Sequence, residues 1–177
     1  LEGLAGHRGS AFGGLGLAPQ PTQKQFEALL WDALRRIPPE GYALAEGESR
    51  HIGRLILPLK VYEALQKETS LWIEAALDYR ARVILEDYPA RDALRDAFVP
   101  PIKALRQRLG GETVEGFLAL LAAGEWEVLA RELMQRYYDP LYSHTLPERR
   151  VVIPIDGPEG PARLRRAIAE LLAQPLA

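Results

Sequence analysis

The sequence predicts an α/β fold: a parallel sheet of about three strands, flanked by helices and interrupted by an all-helical insertion. Three observations predict it. Short apolar runs at 42–46 (YALAE), 71–75 (LWIEA) and 151–155 (VVIPI) are of strand length and are bounded by turn or cap signals. Helical patterns separate the runs, and alternating strand and helix builds a parallel sheet covered on both faces, with right-handed crossovers. Between Arg91 and Arg149 no strand signal occurs. The α/β core is therefore expected at 1–90 and 149–177, and the helical insertion at 91–148.

Taken in order, residues 1–21 hold six of the 15 glycines. That density suits a loop whose backbone turns tightly or approaches something closely. Thr22 is placed to cap a helix running to about Arg36, with Phe26, Leu29, Leu30 and Ala33 on one face. Pro38-Pro39 ends that helix, because proline cannot continue the hydrogen-bond ladder. The first strand, 42–46, runs into EGESRHIGR (46–54). Pro58 fits the first turn of a helix over 59–68, and Asp78 heads one over 79–88 after the second strand. Both strands are almost continuously apolar, as strands buried on two faces are.

The insertion divides into helices at 92–109, 112–123 and 125–138, separated by Gly110-Gly111 and Gly124. It ends in RYYDPLYSH (136–144), where Pro140 is expected to break the helix and three tyrosines cluster. Pro154 marks the last strand as an edge strand or a strand end. A turn and a terminal helix follow it, DGPEGPARLRRAIAELLA. Three strands are few for a sheet, so the chain reads as a fragment whose earlier strands lie outside it.

Composition narrows the chemistry. With 177 residues, 47% hydrophobic and 26% charged, the chain can bury a single core of ordinary soluble type. No apolar run approaches the roughly 20 residues of a membrane span. The opening LEGLAGHRGS lacks a signal-peptide pattern, so a cytoplasmic location is expected. Cysteine is absent, which excludes thiolate catalysis, disulfides and cysteine-based zinc within the chain. The three histidines are not paired at helical spacing, so no histidine metal site is expected, while carboxylate sites for Mg²⁺ stay open. A net charge of −2 gives no overall pull on nucleic acid, and any RNA binding would need a local basic patch.

In open parallel sheets ligands sit beyond the carboxyl ends of the strands. EGESRHIGR stands at such an end, and so does the loop leading to Asp78, Arg80 and Arg82. Glu46 and Glu48 there can hold Mg²⁺ or orient a hydroxyl. Arg50 and Arg54 can clamp phosphate in the bidentate geometry that lysine lacks. The plainer alternative pairs Glu48 with Arg50 across a turn and leaves Arg54 in solvent. GESRH also approaches the GxSxG elbow around Ser49. His51 replaces its second glycine and Arg50 fills the oxyanion-donor position, which sets a hydrolase aside. HRGSAFGGLG (7–16) is neither a Walker A loop nor GxGxxG. With His7, Arg8 and Ser10, it either binds an anion through backbone N–H groups or serves as a flexible connector. Tyr137, Tyr138, Tyr142 and His144 either stack on unpaired bases, with Arg136 at a phosphate, or bury at least one of the first two rings in a core.

Together LEGLAGHRGSAFGGLG (1–16), QPTQKQFE (20–27), EGESRHIGRLILP (46–58) and RYYDPLY (136–142) resemble the C-terminal region of bacterial tRNA 2-selenouridine synthases. Order and spacing match along essentially the whole chain. The resemblance implies a P-loop-kinase-like sheet and a transferase acting on tRNA. Such enzymes convert wobble 2-thiouridine to 2-selenouridine with selenophosphate, through an S-geranylated intermediate made from geranyl diphosphate. It also implies an N-terminal rhodanese-like domain with an essential cysteine and a GxxxxGK[ST] phosphate loop, none of which this sequence contains. By that pattern the chain begins just after the second strand of the P-loop domain. Another segment, in cis or as a separate chain, would then cover the exposed sheet, and the piece alone would not complete the selenation.

The resemblance gives the charged residues roles. Glu46 or Glu48 would orient a metal or water. Arg50 and Arg54, with Ser49 and Gly53, would meet phosphate groups, while His7, Arg8 and Ser10 would line the entrance. Arg80 and Arg82 would close over the same anion as a lid. Arg136, Tyr138, Tyr142 and His144 would contact tRNA. No cofactor or bound metal is expected within the chain, Mg²⁺ use is left open, and a homo-oligomer is allowed. Two other readings compete: a degenerate P-loop small-molecule kinase, and a non-catalytic tRNA-binding or subunit-interaction module.

Overall fold

The computed structural model describes residues 1–47, 49–89, 91–143 and 150–173. They form two compact units. One takes in Leu1–Ser70 with residues 150–151 and 168–173, and the other takes in 71–143 with Val152–Ala167. Among the described residues no helix is long and apolar enough to cross a membrane.

The first unit opens with α1 (Glu2–Ala5), closed by Gly6 in the left-handed region at φ 60°. After the Gly-rich loop comes α2 (Gln23–Leu34), and Thr22 caps it as expected. The Thr22 side chain accepts from the Gln25 N–H, and the Gln25 side chain accepts from the Thr22 N–H at 2.9 Å, a complete capping box. Phe26 and Leu30 of its apolar face are buried, whereas Leu29 is 47% exposed. β1 (His51–Ile52) and β2 (Leu55–Ile56) make an antiparallel hairpin, with His51 opposite Ile56 and Ile52 opposite Leu55. Gly53-Arg54 is its two-residue turn. Only Gly53 has positive φ, 59°, the pattern of a type II′ turn. α3 (Leu59–Lys67) follows Pro58. Ala5, Phe26, Leu30, Ile52, Leu55 and Leu57 form the core.

Two expectations fail in this unit. EGESRHIGR is not simply a strand end, because its second half starts a hairpin. The strand expected at 42–46 is absent, and that stretch has no regular structure. Tyr42 and Leu44 are 46% and 63% exposed. A strand exists only where a neighbour completes its ladder, and among the described residues nothing pairs with this run. Tyr42 instead donates its hydroxyl to the Leu172 carbonyl at 2.7 Å.

The other sheet pairs β3 (Ser70–Glu74) with β4 (Arg150–Pro154), most of both strands belonging to the second unit; it is parallel and two-stranded rather than three-stranded. Pro154 ends its strand, as expected. Just past the strand ends, the Ile155 N–H bonds to the Glu74 carbonyl at 2.9 Å, and the Ala76 N–H bonds to Asp156 at 2.8 Å. The helices are α4 (Leu77–Asp87), α5 (Arg95–Ala104), α6 (Arg106–Leu109), α7 (Gly111–Ala123) and α8 (Trp126–Leu133). A π-helical turn at Met134–Tyr138 leads into α9 (Asp139–Ser143). α10 (Gly160–Leu172) follows β4.

Gly110 and Gly124 divide the helices where expected. The single helix expected at 92–109 breaks at Leu105, after Pro100 and Pro101 remove two successive N–H donors from the ladder. Pro140 does not end its helix. In the π turn the Asp139 N–H reaches back five residues to the Met134 carbonyl. That shift leaves Pro140 in the first turn of α9, where a missing N–H costs least. Phe98 packs edge-on between Tyr88 and Trp126, at 5.9 and 5.2 Å between ring centroids. Ala81, Ala130 and Met134 tie α4 to α8 and the π turn.

Candidate functional site

In the first unit, residues 7–17 fold back on themselves. The Arg8 N–H bonds to the Gly13 carbonyl (3.0 Å), Ser10 to Arg8 (2.9 Å), Gly13 to Ser10 (3.0 Å) and Leu15 to Phe12 (2.9 Å). Side chains take two more donors: Gly9 N–H goes to His7 Nδ1 at 3.1 Å, and Phe12 N–H goes to Ser10 Oγ at 3.2 Å. Arg8 Nη1 donates to the Leu15 carbonyl at 2.9 Å. The loop is therefore a folded turn structure and not an open nest of N–H groups. What it offers a ligand is its side chains.

His7 is the hinge pin of this structure. A Cβ on Gly13 would stand 2.7 Å from its Cε1, and a Cβ on Gly53 would stand 2.8 Å from its Cδ2. Two glycines distant in sequence thus leave room for one imidazole. Burial, then the positive charge of Arg8, holds the ring below the ordinary histidine value. Since Nδ1 accepts from Gly9, the neutral ring carries its proton on Nε2.

The hairpin meets the loop through a residue that sequence reasoning missed. Gln20 Nε2 donates to the Ala5 carbonyl (3.1 Å) and to the Ile52 carbonyl (2.9 Å), while Oε1 accepts from the Arg54 N–H (2.9 Å). Arg54 Nη2 in turn donates to the Gln20 and Pro21 carbonyls. A Cβ on Gly53 would run into Gln20 Oε1, so no other residue fits there without displacing the amide. Flanked by Pro19 and Pro21, Gln20 reads in sequence as a loop residue. Only its place inside QPTQKQFE hinted at more.

At the other end of the hairpin, Arg50 Nε donates to the Leu57 carbonyl at 3.1 Å and Leu57 N–H donates to the Arg50 carbonyl at 2.8 Å. Ser49 Oγ accepts from the His51 N–H (3.1 Å) and donates to the His51 carbonyl (2.7 Å). Each of the two arginines is thus anchored by part of its guanidinium. Among the described residues, Arg50 Nη1 and Nη2 and Arg54 Nε and Nη1 have no hydrogen-bond partner. Glu46 accepts from the Leu1 amino group at 2.8 Å. Glu48 lies outside the described residues.

The second unit holds the remaining candidates. Arg80 donates Nη1 and Nη2 to the two oxygens of Asp139 at 2.6 and 2.9 Å, a bidentate tie from α4 to α9. The hydrogen bonds Arg80 donates to Asp139 outweigh burial and raise the Arg80 pKa further. Beside it, Arg131 pairs with Asp78 at 2.8 Å. Arg82 lies over the Tyr79 ring, 6.0 Å from its centroid. Arg136 is exposed and pairs with Glu132 at 2.6 Å. Tyr137 and Tyr138 meet edge to face at 4.9 Å, and Arg108 covers Tyr137. Both rings are half-buried, so neither fills a core as expected of at least one of them, and Tyr142 is 46% exposed. His144 lies outside the described residues. Among the described residues no three of His, Asp and Glu gather as a metal site.

Comparison with known proteins adds a family. A family model described as the tRNA 2-selenouridine synthase AAA domain matches residues 1–163. The tRNA 2-selenouridine synthase of Hydrogenovibrio crunogenus is 31% identical, over 89% of this chain and 49% of its own length. The one from Marinobacter nauticus is 34% identical over 89% and 50%, and the one from Azotobacter vinelandii 34% over 81% and 46%. The chain spans about half the length of these curated relatives. No solved structure matches it.

Proposed function

The chain belongs to the tRNA 2-selenouridine synthase family, and on that premise we propose that it forms the tRNA- and anion-handling portion of a transferase. That enzyme replaces the sulfur of wobble 2-thiouridine with selenium. The sulfur first takes a geranyl group from geranyl diphosphate, releasing diphosphate; selenium from selenophosphate then replaces the geranylated sulfur at the base carbon, the sulfur leaving as geranyl thiol and the phosphate being lost to water. Having no cysteine, this chain supplies no thiolate to either step. Its part is to bind and orient phosphate-bearing groups in the cytoplasm, where the tRNA is.

One observation carries the reading. The two most motif-like stretches of the sequence, HRGS and SRHIGR, meet where the His7 ring stands against Gly53, while Gln20 ties the hairpin to the end of α1. Anchoring each arginine by part of its head fixes its direction and leaves other N–H groups for an anion. Two arginines at opposite ends of one hairpin suit the phosphates of a polyanion such as the tRNA backbone. Arg8 and Ser10 add polar groups to the same unit. In the second unit, Tyr138 and Tyr142 supply ring faces for unpaired bases, with Arg136 nearby for phosphate.

Equilibrium titration with tRNA bearing wobble 2-thiouridine, across several salt concentrations, tests this. Affinity should fall steeply as salt rises, because neutralised phosphates release counterions. It should also exceed the affinity for the same tRNA without sulfur. Binding indifferent to salt, or no binding at low salt, would contradict the assignment.

A further inference from the structure

We propose that Gln20 is the positioning residue of the anion-handling face: its side-chain amide aims Arg54 and ties the end of α1 to the hairpin. The proposal rests on the reading of this face as an anion site. Gln20 spends its whole amide on the task. Two N–H groups meet two carbonyls, of Ala5 in α1 and of Ile52 in β1, and its oxygen meets the N–H of Arg54 in the turn. Two donors and an acceptor on one short planar group is a pattern that only a primary amide supplies. The Gln20 main chain completes it, because its carbonyl takes Nη2 of the same arginine. Arg54 is therefore held at both ends by one residue, through its own N–H and through its guanidinium.

The consequence is a sensitivity to the chemistry of position 20 and not only to its size. Gln20→Glu keeps shape and volume. Its carboxylate can still accept from the Arg54 N–H, but it faces the Ala5 and Ile52 carbonyl oxygens with no proton to give. Two part-buried acceptors lose the Gln20 donor, and like partial charges are set against each other. Protonating the new carboxyl restores one donor, so the defect should shrink in acid.

The test uses the whole chain, with inorganic pyrophosphate as the probe and amide hydrogen exchange over 51–56 as a second readout. At about pH 7.5, Gln20→Glu should bind pyrophosphate about tenfold more weakly than the unaltered chain, and the hairpin amides over 51–56 should exchange faster, because the carboxylate repels the Ile52 carbonyl that the amide held. By about pH 5 the affinity ratio should narrow to about threefold or less. Arg54→Ala should be weak at both pH values. Affinity and exchange unchanged in Gln20→Glu, while Arg54→Ala is defective, would overturn the role of Gln20 and leave the anion site standing. His7, which meets the Gln20 amide at Gly53, takes up its proton in both chains, so Arg54→Ala serves as the control for its effect; a Gln20→Glu ratio that narrows in acid no more than that of Arg54→Ala would also overturn the role of Gln20. If the exchange responds but the unaltered chain binds no pyrophosphate, the anion reading falls and the proposal falls with it.

Discussion

His7 shows how much one side chain can set. Its ring occupies space left by Gly13 and Gly53, and its Nδ1 closes the loop through the Gly9 N–H. Protonation would put a hydrogen on Nδ1 and destroy that acceptor. The folded ring titrates below the ordinary histidine value of 6.5. Above 6.5 the group is neutral folded and unfolded, and its contribution is fully present. As pH falls through 6.5 the unfolded chain takes up the proton first, so stability is lost until the folded value is passed. An NMR titration should place the His7 midpoint below 6.5, with exchange at Gly9 quickening on protonation; a midpoint at or above 6.5 would show that burial does not govern the ring. At this scale the sequence was half legible. HRGSAFGG announces a special loop through its glycines. The reason for Gly53 is invisible, because it lies in Gln20 and His7, more than thirty residues upstream.

Among the elements, local rules read well and long-range ones did not. The Thr22 cap, the Pro58 start and the breaks at Gly110 and Gly124 depend on neighbours within a few residues, and all four stand. Pro140 misled because its effect depends on the π turn before it, which no short-range pattern reveals. The charged residues of α4 are equally dependent on distant partners. Arg80 is held by Asp139 and Asp78 by Arg131, so α4 is tied to α8 and α9 by two crossed pairs. Side-chain exposures of 36% and 41% for Arg80 and Asp139 mean that solvent screens much of the attraction. A double-mutant cycle of Arg80→Ala and Asp139→Ala under denaturant should give a coupling of about 1 kcal/mol, the bidentate geometry lifting it to the upper end for such pairs. Strict additivity would mean that the tie does not stabilise the second unit.

At the scale of the whole molecule, the mixed α/β class was legible while the sheet was not. Apolar runs at 71–75 and 151–155 found each other and became parallel strands. The equally apolar run at 42–46 has no ladder partner among the described residues, and its side chains stay exposed. Hydrophobic patterning says which segments can be strands, and pairing decides which are. The hairpin was missed for the opposite reason: two residues on each side of Gly53-Arg54 are too few to show alternation. Family membership came from the ordered set of motifs, which the match over 1–163 bears out. The account turns on residues 7–10 and 50–54 acting as one anion-binding face, and backbone amide shifts followed during a pyrophosphate titration of the labelled chain test that most directly. Both segments should shift together along a single binding curve. Shifts confined to one of them, or two curves with different midpoints, would contradict it.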